Sequence, residues 1–244
     1  MAATARPARR ASPADGSGPR TAAAIRELLR SAADPVRAEG QQAYMKSAMP
    51  FWGVPVPEVR RMVRPALAGL DAIGALALAA ELWDGAERRE ERYAALGVLA
   101  APSLRGRPEA VPLIERFAIE GRWWDIVDDL AHRVAELHDA QPAATHATVL
   151  AWSDDRRDEP VEDAGMWLRR LAILSQLGRR ERVDLDLLAE VVDRNAGDPA
   201  FFIRKAIGWA LREVARIRPD WVLAFVDSRP LSALSRREAL RHVG

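Results

Sequence analysis

The hydrophobic residues of this chain recur every three or four positions through most of its length. This is the spacing of one face of an α-helix, and no stretch shows the strict alternation of apolar and polar residues that is typical of a half-buried strand. The pattern therefore predicts an all-α protein. The predicted helices cover residues 21–31, 58–68, 70–83, 88–100, 110–120, 123–138, 142–152, 162–176, 185–195, 201–218, 221–227 and 235–242.

Two segments stand out from this pattern. Residues 50–57 contain three prolines and one glycine, which remove backbone donors and restrict backbone angles, so residues 44–57 are predicted to form a non-helical connection. The charged run Glu-Arg-Arg-Glu-Glu-Arg at 87–92 opens a predicted helix, and we interpret it as a solvent-exposed face.

Four tryptophans indicate a repeat within the helical pattern. Trp83, Trp124, Trp167 and Trp209 are separated by 41, 43 and 42 residues, within the repeat length of ~40–47 residues found in HEAT-type proteins. Such proteins stack helix pairs into a curved solenoid whose concave face is suited to binding. The alternative is a coincidence among the eight tryptophans of the chain.

The predicted domain organisation is simple. Residues 1–20 are rich in Ala, Arg, Pro, Gly and Ser, which predicts a disordered N-terminal tail. Residues 21–244 are predicted to form a single helical-repeat domain. The tail contains no hydrophobic segment, so we do not expect it to be a secretory signal.

The predicted helix that begins at Trp123 carries an unusual pair of side chains. Its apolar face is complete without Trp124, which lies one turn from Asp128 on the neighbouring face. A large indole beside a carboxylate and away from the core is a candidate for contacting a ligand. The apolar face itself consists of Trp123, Val127, Leu130, Val134 and Leu137.

The helix predicted over 201–218 presents a row of cations around a tryptophan. Lys205, Trp209, Arg212 and Arg216 follow one another at helical spacing, opposite the apolar face. An aromatic ring among cations that can bind phosphates is typical of nucleic-acid binding. The alternative is that Trp209 packs under a neighbouring helix while the cations pair with acidic residues.

Arg170 lies on an otherwise apolar stripe, one turn from Trp167 and one turn from Leu174. The charge of such an arginine either reaches solvent or meets an anion. The pattern alone leaves both possibilities open.

The composition disfavours several kinds of site. The chain has no cysteine, which excludes a disulfide framework, a thiolate nucleophile and a cysteine-ligated zinc, and agrees with a cytoplasmic location. Its four histidines show no metal-ligand spacing, so we expect neither a metal nor a cofactor. No apolar run reaches the ~18–20 residues of a membrane helix, so we expect no membrane span.

The near-neutral net charge of +1 conceals an uneven distribution. Residues 201–244 contain nine Arg or Lys and four Asp or Glu, so this end carries a charge of +5 and the rest of the chain −4. A local basic surface of this kind is suited to an anionic partner such as nucleic acid.

Five motifs follow one another along the chain, and together they carry a resemblance. They are Tyr44-Met45-Lys46 followed by Pro50-Phe51-x-Gly53, Trp123-Trp124-Asp125-x-Val127-Asp128, Trp167-Leu168-x-Arg170 with Ala172-Ile173-Leu174, Phe201-Phe202-Ile203-x-Lys205-Ala206-Ile207-Gly208-Trp209-x-Leu211-Arg212-Glu213, and Leu231-Ser232-x-Leu234-Ser235-x-Arg237-Glu238-Ala239. In this order they resemble the AlkD family of DNA alkylation repair glycosylases. The resemblance extends from about residue 44 to the C-terminus.

The resemblance implies an all-α, HEAT-like solenoid that excises cationic N3- or N7-alkylated purines from duplex DNA as a monofunctional glycosylase. Asp128, Trp124 and Trp209 match the catalytic residues of the family. Arg170 matches the arginine of its DNA-binding groove, and Tyr44 matches an aromatic residue close to the lesion.

A charged alkylpurine is a good leaving group, so no general acid is required. Asp128 would stabilise a sugar resembling an oxocarbenium ion and orient water, while the two tryptophans contact the lesion nucleotide. We expect a monomer that is cytoplasmic and associated with the nucleoid when bound to DNA. Further contacts with DNA phosphates are expected from Lys205, Arg212, Arg216, Arg237 and Arg241.

Two other functions fit parts of the sequence. A helical-repeat scaffold that binds nucleic acid or protein without catalysis would keep the repeat and the basic face. It gives no reason for Trp124, Asp128 and Trp209 to surround one point. A metal- or thiol-dependent hydrolase is disfavoured by the absent cysteines and the unspaced histidines.

Overall fold

The computed structural model describes residues 21–158 and 163–243, so the predicted tail at 1–20 lies outside the described residues. Every regular element in these two ranges is a helix, which confirms the all-α prediction. Within them, each helix is too short or too polar to traverse a lipid bilayer. The α-helices are α1 (Ala22–Ser31), α2 (Pro35–Met45), α3 (Val56–Val63), α4 (Ala72–Asp84), α5 (Arg89–Leu99), α6 (Val111–Gly121), α7 (Trp124–Ala140), α8 (Pro142–Ser153), α9 (Ala164–Leu174), α10 (Leu185–Asn195), α11 (Phe201–Ala215), α12 (Pro219–Asp227) and α13 (Ala233–Ala239), with short 3-10 helices at Arg64–Leu67, Pro102–Leu104, Pro108–Ala110 and Arg180–Arg182.

From α4 onward the helices form two layers. Helices α5, α7, α9, α11 and α13 make up the front layer, in which each helix contacts the next. Helices α4, α6, α8, α10 and α12 make up the back layer and pack against the front helices beside them. The chain therefore alternates between layers, as expected for a stack of helix pairs.

The tryptophans that suggested the repeat do not occupy equivalent positions in it. Trp124, Trp167 and Trp209 lie on the successive front helices α7, α9 and α11, whereas Trp83 lies on α4 in the back layer. Trp83 and Trp167 are buried, while Trp124 and Trp209 are partly exposed. Only the spacing of Trp124, Trp167 and Trp209 is that of successive helix pairs, and the four side chains have different environments.

Helix α2 was not predicted from the hydrophobic pattern. It begins at Pro35, whose ring restricts the backbone to an angle that suits the first turn of a helix. Tyr44 therefore lies in the last turn of a helix and not in the connection predicted for 44–57. Helix α3 likewise begins at Val56, with Pro57 in its first turn, so the non-helical connection is shorter than predicted.

The prediction that the charged run at 87–92 is a solvent-exposed face was wrong for its three central buried residues, although Glu87 is exposed. Arg89, Glu90 and Glu91 are at most 5% exposed. The Glu90 carboxylate accepts hydrogen bonds from the three backbone N–H groups of residues 52–54, at 2.8, 2.8 and 3.0 Å. A buried carboxylate thus satisfies the donors of a connection that has no secondary structure of its own.

Candidate active site

Two adjacent cavities are bounded by α7 and α11. The first, of about 450 Å³, reaches α2 and is called the Tyr44 cavity. The second, of about 420 Å³, reaches α13 and is called the Arg241 cavity. Trp124, Asp128 and Trp209 line both. The Tyr44 cavity is also lined by Gln41, Tyr44, Met45, Phe51, Val56, Arg60, Tyr93, Asp125, Asp129 and His132, and the Arg241 cavity by Arg170, Phe201, Phe202, Lys205, Arg212, Glu238 and Arg241.

The adjacent tryptophans at the start of α7 point to different surroundings. Trp123 precedes the helix with extended backbone, and its ring packs 6.1 Å from Trp167 and 5.3 Å from Phe202, centroid to centroid. Trp124 begins the helix and meets Tyr44 edge to face at 6.3 Å. Trp123 therefore packs in an aromatic cluster, whereas Trp124 lines the two cavities.

Asp128 forms a bidentate ion pair with Arg170 of α9. The Nε and Nη2 atoms of Arg170 donate to the two carboxylate oxygens, each at 2.9 Å, and Nη1 donates to the Phe202 carbonyl oxygen at 2.7 Å. Arg170 is 4% exposed. Of the two possibilities left open by the sequence, this arginine meets an anion and does not extend to solvent.

The ion pair does not close the site. The Asp128 side chain is 15% exposed and borders both cavities. Burial raises the pKa of Asp128 above its usual range, and the Arg170 guanidinium opposes this effect by favouring the charged form. The carboxylate therefore has a fixed orientation and an accessible edge.

Asp125 holds the first turn of α7 against α5. Arg89 donates to its carboxylate through Nε at 3.0 Å and Nη2 at 2.5 Å, and the Tyr93 hydroxyl donates at 2.6 Å. Burial and the nearby charge of Asp125 raise the pKa of Tyr93, so the phenol keeps its proton and remains a donor. Sequence reasoning missed this network because Arg89 was assigned to an exposed face.

Three of the five cations predicted to bind phosphate line the Arg241 cavity. Lys205 and Arg212 both pair with Glu238, at 3.1 and 2.9 Å. Arg241 borders the same cavity. The alternative in which these cations pair with an acidic residue is therefore partly correct, although Trp209 is partly exposed and borders both cavities.

The other two predicted cations, Arg216 and Arg237, line neither cavity. Arg216 pairs with Glu213 at 3.3 Å and borders a separate cavity of about 360 Å³ next to Gln176. Arg237 is exposed on α13. The helical row predicted from the sequence thus reaches the candidate site only as far as Arg212.

Gly208 permits a close approach of α11 and α13 beside the site. A Cβ atom at this position would lie 2.5 Å from Glu238 Cβ and 3.0 Å from the Ser235 carbonyl oxygen, so no side chain fits. The close contact places Glu238 where it pairs with Lys205 and Arg212.

The chemistry that this site offers is that of a carboxylate flanked by partly exposed indoles. Indole faces pack well against flat cationic groups, and an oriented carboxylate stabilises positive charge. The adjoining cations suit a phosphate backbone. In the described part of the chain, no three His, Asp or Glu side chains are grouped so as to hold a metal ion.

The fold is a two-layer stack of helices with an acidic and aromatic site beside a cavity lined by cations. Residues 25–243 match the family model described as DNA alkylation repair enzyme. The chain therefore belongs to the DNA alkylation repair enzyme family, which confirms the resemblance found in the sequence.

One similar solved structure is a protein described as a predicted DNA alkylation repair enzyme from Enterococcus faecalis. It is 26% identical to this chain with a TM-score of 0.75, and the match covers 87% of this chain and 97% of that one. Comparison with curated proteins gives no match.

Proposed function

We propose that this protein is a monofunctional DNA glycosylase that hydrolyses the N-glycosidic bond of cationic alkylated purines, of the N3-methyladenine or N7-methylguanine type, in duplex DNA. The observation that carries this proposal is that Trp124, Asp128 and Trp209 line two adjacent cavities in common. Membership of a family of DNA alkylation repair enzymes supports the substrate class.

The proposed reaction needs one carboxylate. The C1′–N bond breaks with its electron pair passing to the cationic base, which leaves as a neutral purine without protonation by a general acid. The sugar gains positive charge, which Asp128 stabilises while it orients a water molecule. The water oxygen then bonds to C1′, and its proton passes to the carboxylate or to solvent.

Arg170 is a positioning residue in this proposal. Its two hydrogen bonds to Asp128 hold the carboxylate plane fixed, and the site stays open because the carboxylate still borders both cavities. Preorganised groups of this kind lower a barrier because they need no rearrangement as charge develops.

The aromatic side chains provide the contacts that select a cation. Trp124 and Trp209 would pack against the sugar and the charged nucleotide, each contact contributing about 0.5–2 kcal/mol according to how far water is excluded. Tyr44 is 75% exposed and lies against Trp124, which places it at the edge of the same surface. Neutral lesions should therefore be poor substrates.

The second candidate function is a non-catalytic helical-repeat scaffold that binds nucleic acid or protein. It is favoured by the ion pairs that already engage Asp128, Lys205 and Arg212. A scaffold would bind DNA and release no base.

The decisive substitution is Asp128→Asn, which keeps an oxygen that can accept from Arg170. The parent and the variant are incubated with methylated duplex DNA, and the free base is measured by chromatography. We expect release by the parent and a rate at least ~100-fold lower for the variant, the cost typical of removing one transition-state stabilising group.

Asp129→Asn is the matched control. Asp129 is the next carboxylate in the chain, pairs with the exposed Arg60 at 2.9 Å and lines only the Tyr44 cavity. It should retain most of the parental rate, and circular dichroism verifies the folding of both variants. Equal release by the parent and Asp128→Asn would remove Asp128 from the mechanism, and DNA binding by a parent that releases no base would favour the scaffold.

A further inference from the structure

A third cavity, of about 260 Å³, adjoins the Tyr44 cavity and is called the Lys46 cavity. It shares Met45 with the Tyr44 cavity and no lining residue with the Arg241 cavity. Trp123 also lines it, and the next residue, Trp124, lines the candidate site. The Lys46 cavity therefore lies on the flank of the site that the Arg241 cavity does not reach.

The Lys46 cavity is strongly basic. Lys46, Arg92 and Arg122 line it, and in the described part of the chain none of the three has a carboxylate oxygen within 4.0 Å. Lys46 and Arg122 are exposed, and Arg92 is partly buried. Burial and the nearby charge of Arg89 lower the pKa of Arg92, with a smaller contribution from Arg122.

The two other charged groups at this cavity are engaged elsewhere. Arg89 is neutralised by Asp125. The Glu120 carboxylate accepts from Arg116 Nε at 2.9 Å and from the Trp83 indole N–H at 2.6 Å. The cavity therefore retains an excess of positive charge, whereas Lys205 and Arg212 in the Arg241 cavity share a carboxylate partner.

The backbone at two of the cations is unusual. Lys46 follows α2 with φ 50° and Arg122 follows α6 with φ 28°, both in the left-handed region. This position after a helix is usually occupied by glycine, and strained backbone at other residues tends to occur at functional sites. The alternative is that each cation only stabilises the helix dipole at its C-terminus.

We propose that the Lys46 cavity binds a phosphate group of the DNA backbone next to the target nucleotide. Given the proposed function, which this inference presupposes, duplex DNA would be held by cations on both flanks of Trp124 and Trp209. Three cations around one concave site, none of them in an ion pair within the described residues, are suited to a phosphodiester.

The test is the salt dependence of binding to undamaged duplex DNA. Lys46→Asn with Arg122→Asn removes two charges, and asparagine tolerates left-handed backbone better than most residues. We expect the slope of log affinity against log salt concentration to fall in magnitude by about 0.9 for each DNA phosphate that the variant no longer neutralises, measured by fluorescence anisotropy from ~50 to ~200 mM salt.

The matched control is Arg64→Gln with Arg107→Gln. Both arginines are exposed and line none of the three cavities, so the control removes equal charge and should keep the parental slope. A slope for the Lys46 and Arg122 variant that equals that of the control overturns the inference. Thermal unfolding is followed in parallel, since a helix-dipole role predicts a lower melting temperature with an unchanged slope.

The two proposals fail in different ways. Because the binding assay uses undamaged DNA, it does not depend on base release. A parental enzyme that releases no base, with a reduced slope in the variant, contradicts the glycosylase and supports the phosphate site. If the double variant does not fold, Lys46→Glu alone reverses an exposed charge and should weaken binding more than Arg64→Glu does.

Discussion

At the scale of single residues, the ion pair between Asp128 and Arg170 favours the charged form of the proposed catalytic carboxylate. Burial raises the pKa of Asp128 and the guanidinium opposes that rise. The same pair fixes the orientation of the carboxylate. One neighbour on an adjacent helix thus affects both the charge and the orientation of Asp128.

Removing that neighbour should shift the pH dependence of base release. In Arg170→Gln the effect of burial loses its main opponent, so the pKa of Asp128 rises further and the ionised fraction at a given pH falls. Because the ionised form is the active one, the decrease of the rate in acid should begin at a higher pH than in the parent. Single-turnover rates measured across the pH range would show this shift.

Arg169→Gln provides the comparison for this experiment. Arg169 is the preceding residue, is also buried, and pairs with Asp198 at 2.9 Å, without a bond to Asp128. Substitution of Arg169 should not change the pH at which the rate of base release decreases in acid. If Arg170→Gln lowered the rate equally at every pH, Arg170 would act through DNA contact or stability and not through the charge of Asp128.

Sequence reasoning at this scale could select the unusual side chains but not their partners. Trp124, Asp128 and Trp209 stood out because their own helices already had complete apolar faces. The partner of Arg170 could not be predicted, since Asp128 is 42 residues away and the pairing depends on how α7 packs against α9.

At the scale of elements, Glu90 organises the connection between α2 and α3. Its carboxylate replaces the backbone partners that residues 52–54 would have in a helix or sheet. Phe51 and Val56, on either side of this segment, line the Tyr44 cavity. One wall of the candidate site therefore depends on a buried acid of α5.

Substitution of Glu90 should be strongly destabilising. Glu90→Ala leaves the N–H groups of residues 52–54 without their acceptor, and the bonds from Gly53 and Val54 are buried. Each lost hydrogen bond to a charged group costs about 1.5–3 kcal/mol, so the two buried bonds alone predict a decrease of roughly 3–6 kcal/mol in the free energy of unfolding. Urea denaturation measures the change. Glu87→Ala, at an exposed position of the same charged run, should cost less than ~0.5 kcal/mol. Similar costs for both variants would contradict the role assigned to Glu90.

The helices and the presence of a connection between them were largely predictable, but the buried partner of the connection was not. Apolar stripes at helical spacing identified most helices to within a few residues, because burial of one face dominates their stability. The run at 87–92 has the composition of a surface segment. The donors for Glu90 come from the backbone of residues 52–54, which lies elsewhere in the chain. Composition carries no information about such a partner.

At the scale of the whole molecule, packing of the helices against one another buries polar side chains that an isolated helix would expose to water. His138 lies in α7, is 4% exposed and contacts Ser175 Oγ at 3.3 Å. Burial lowers the pKa of His138 to about 4, and the nearby charge of Arg179 contributes in the same direction. This histidine is neutral in the folded protein at neutral pH.

His138 should make the stability of the fold depend on pH. The unfolded chain binds a proton near pH 6.5 and the folded chain only near pH 4, so this contribution is complete above pH 6.5 and is lost as the pH falls towards 4. The loss amounts to about 3 kcal/mol. Urea unfolding of the parent and of His138→Gln at neutral and acid pH should show a smaller decrease for the variant. An identical decrease would contradict the assignment.

The main residues of the candidate site could be predicted from the sequence, but their arrangement in space could not. The motifs named residues on α7, α9 and α11, and the repeat indicated that these helices are neighbours. Which cations border the site depends on how α11 and α13 pack, and Arg216 and Arg237 do not line the Arg241 cavity. The Lys46 cavity lies between the turns that follow α2 and α6, and no sequence motif indicated that these turns are neighbours.

The close contact at Gly208 also affects the width of the Arg241 cavity. The distance between α11 and α13 is already close to its minimum, because a Cβ atom at position 208 would lie 2.5 Å from Glu238 Cβ. Any larger residue would act as a spacer and widen the Arg241 cavity without adding or removing a charge. Under the proposed function, the width available to a DNA strand would therefore be set by a residue that need not touch the strand.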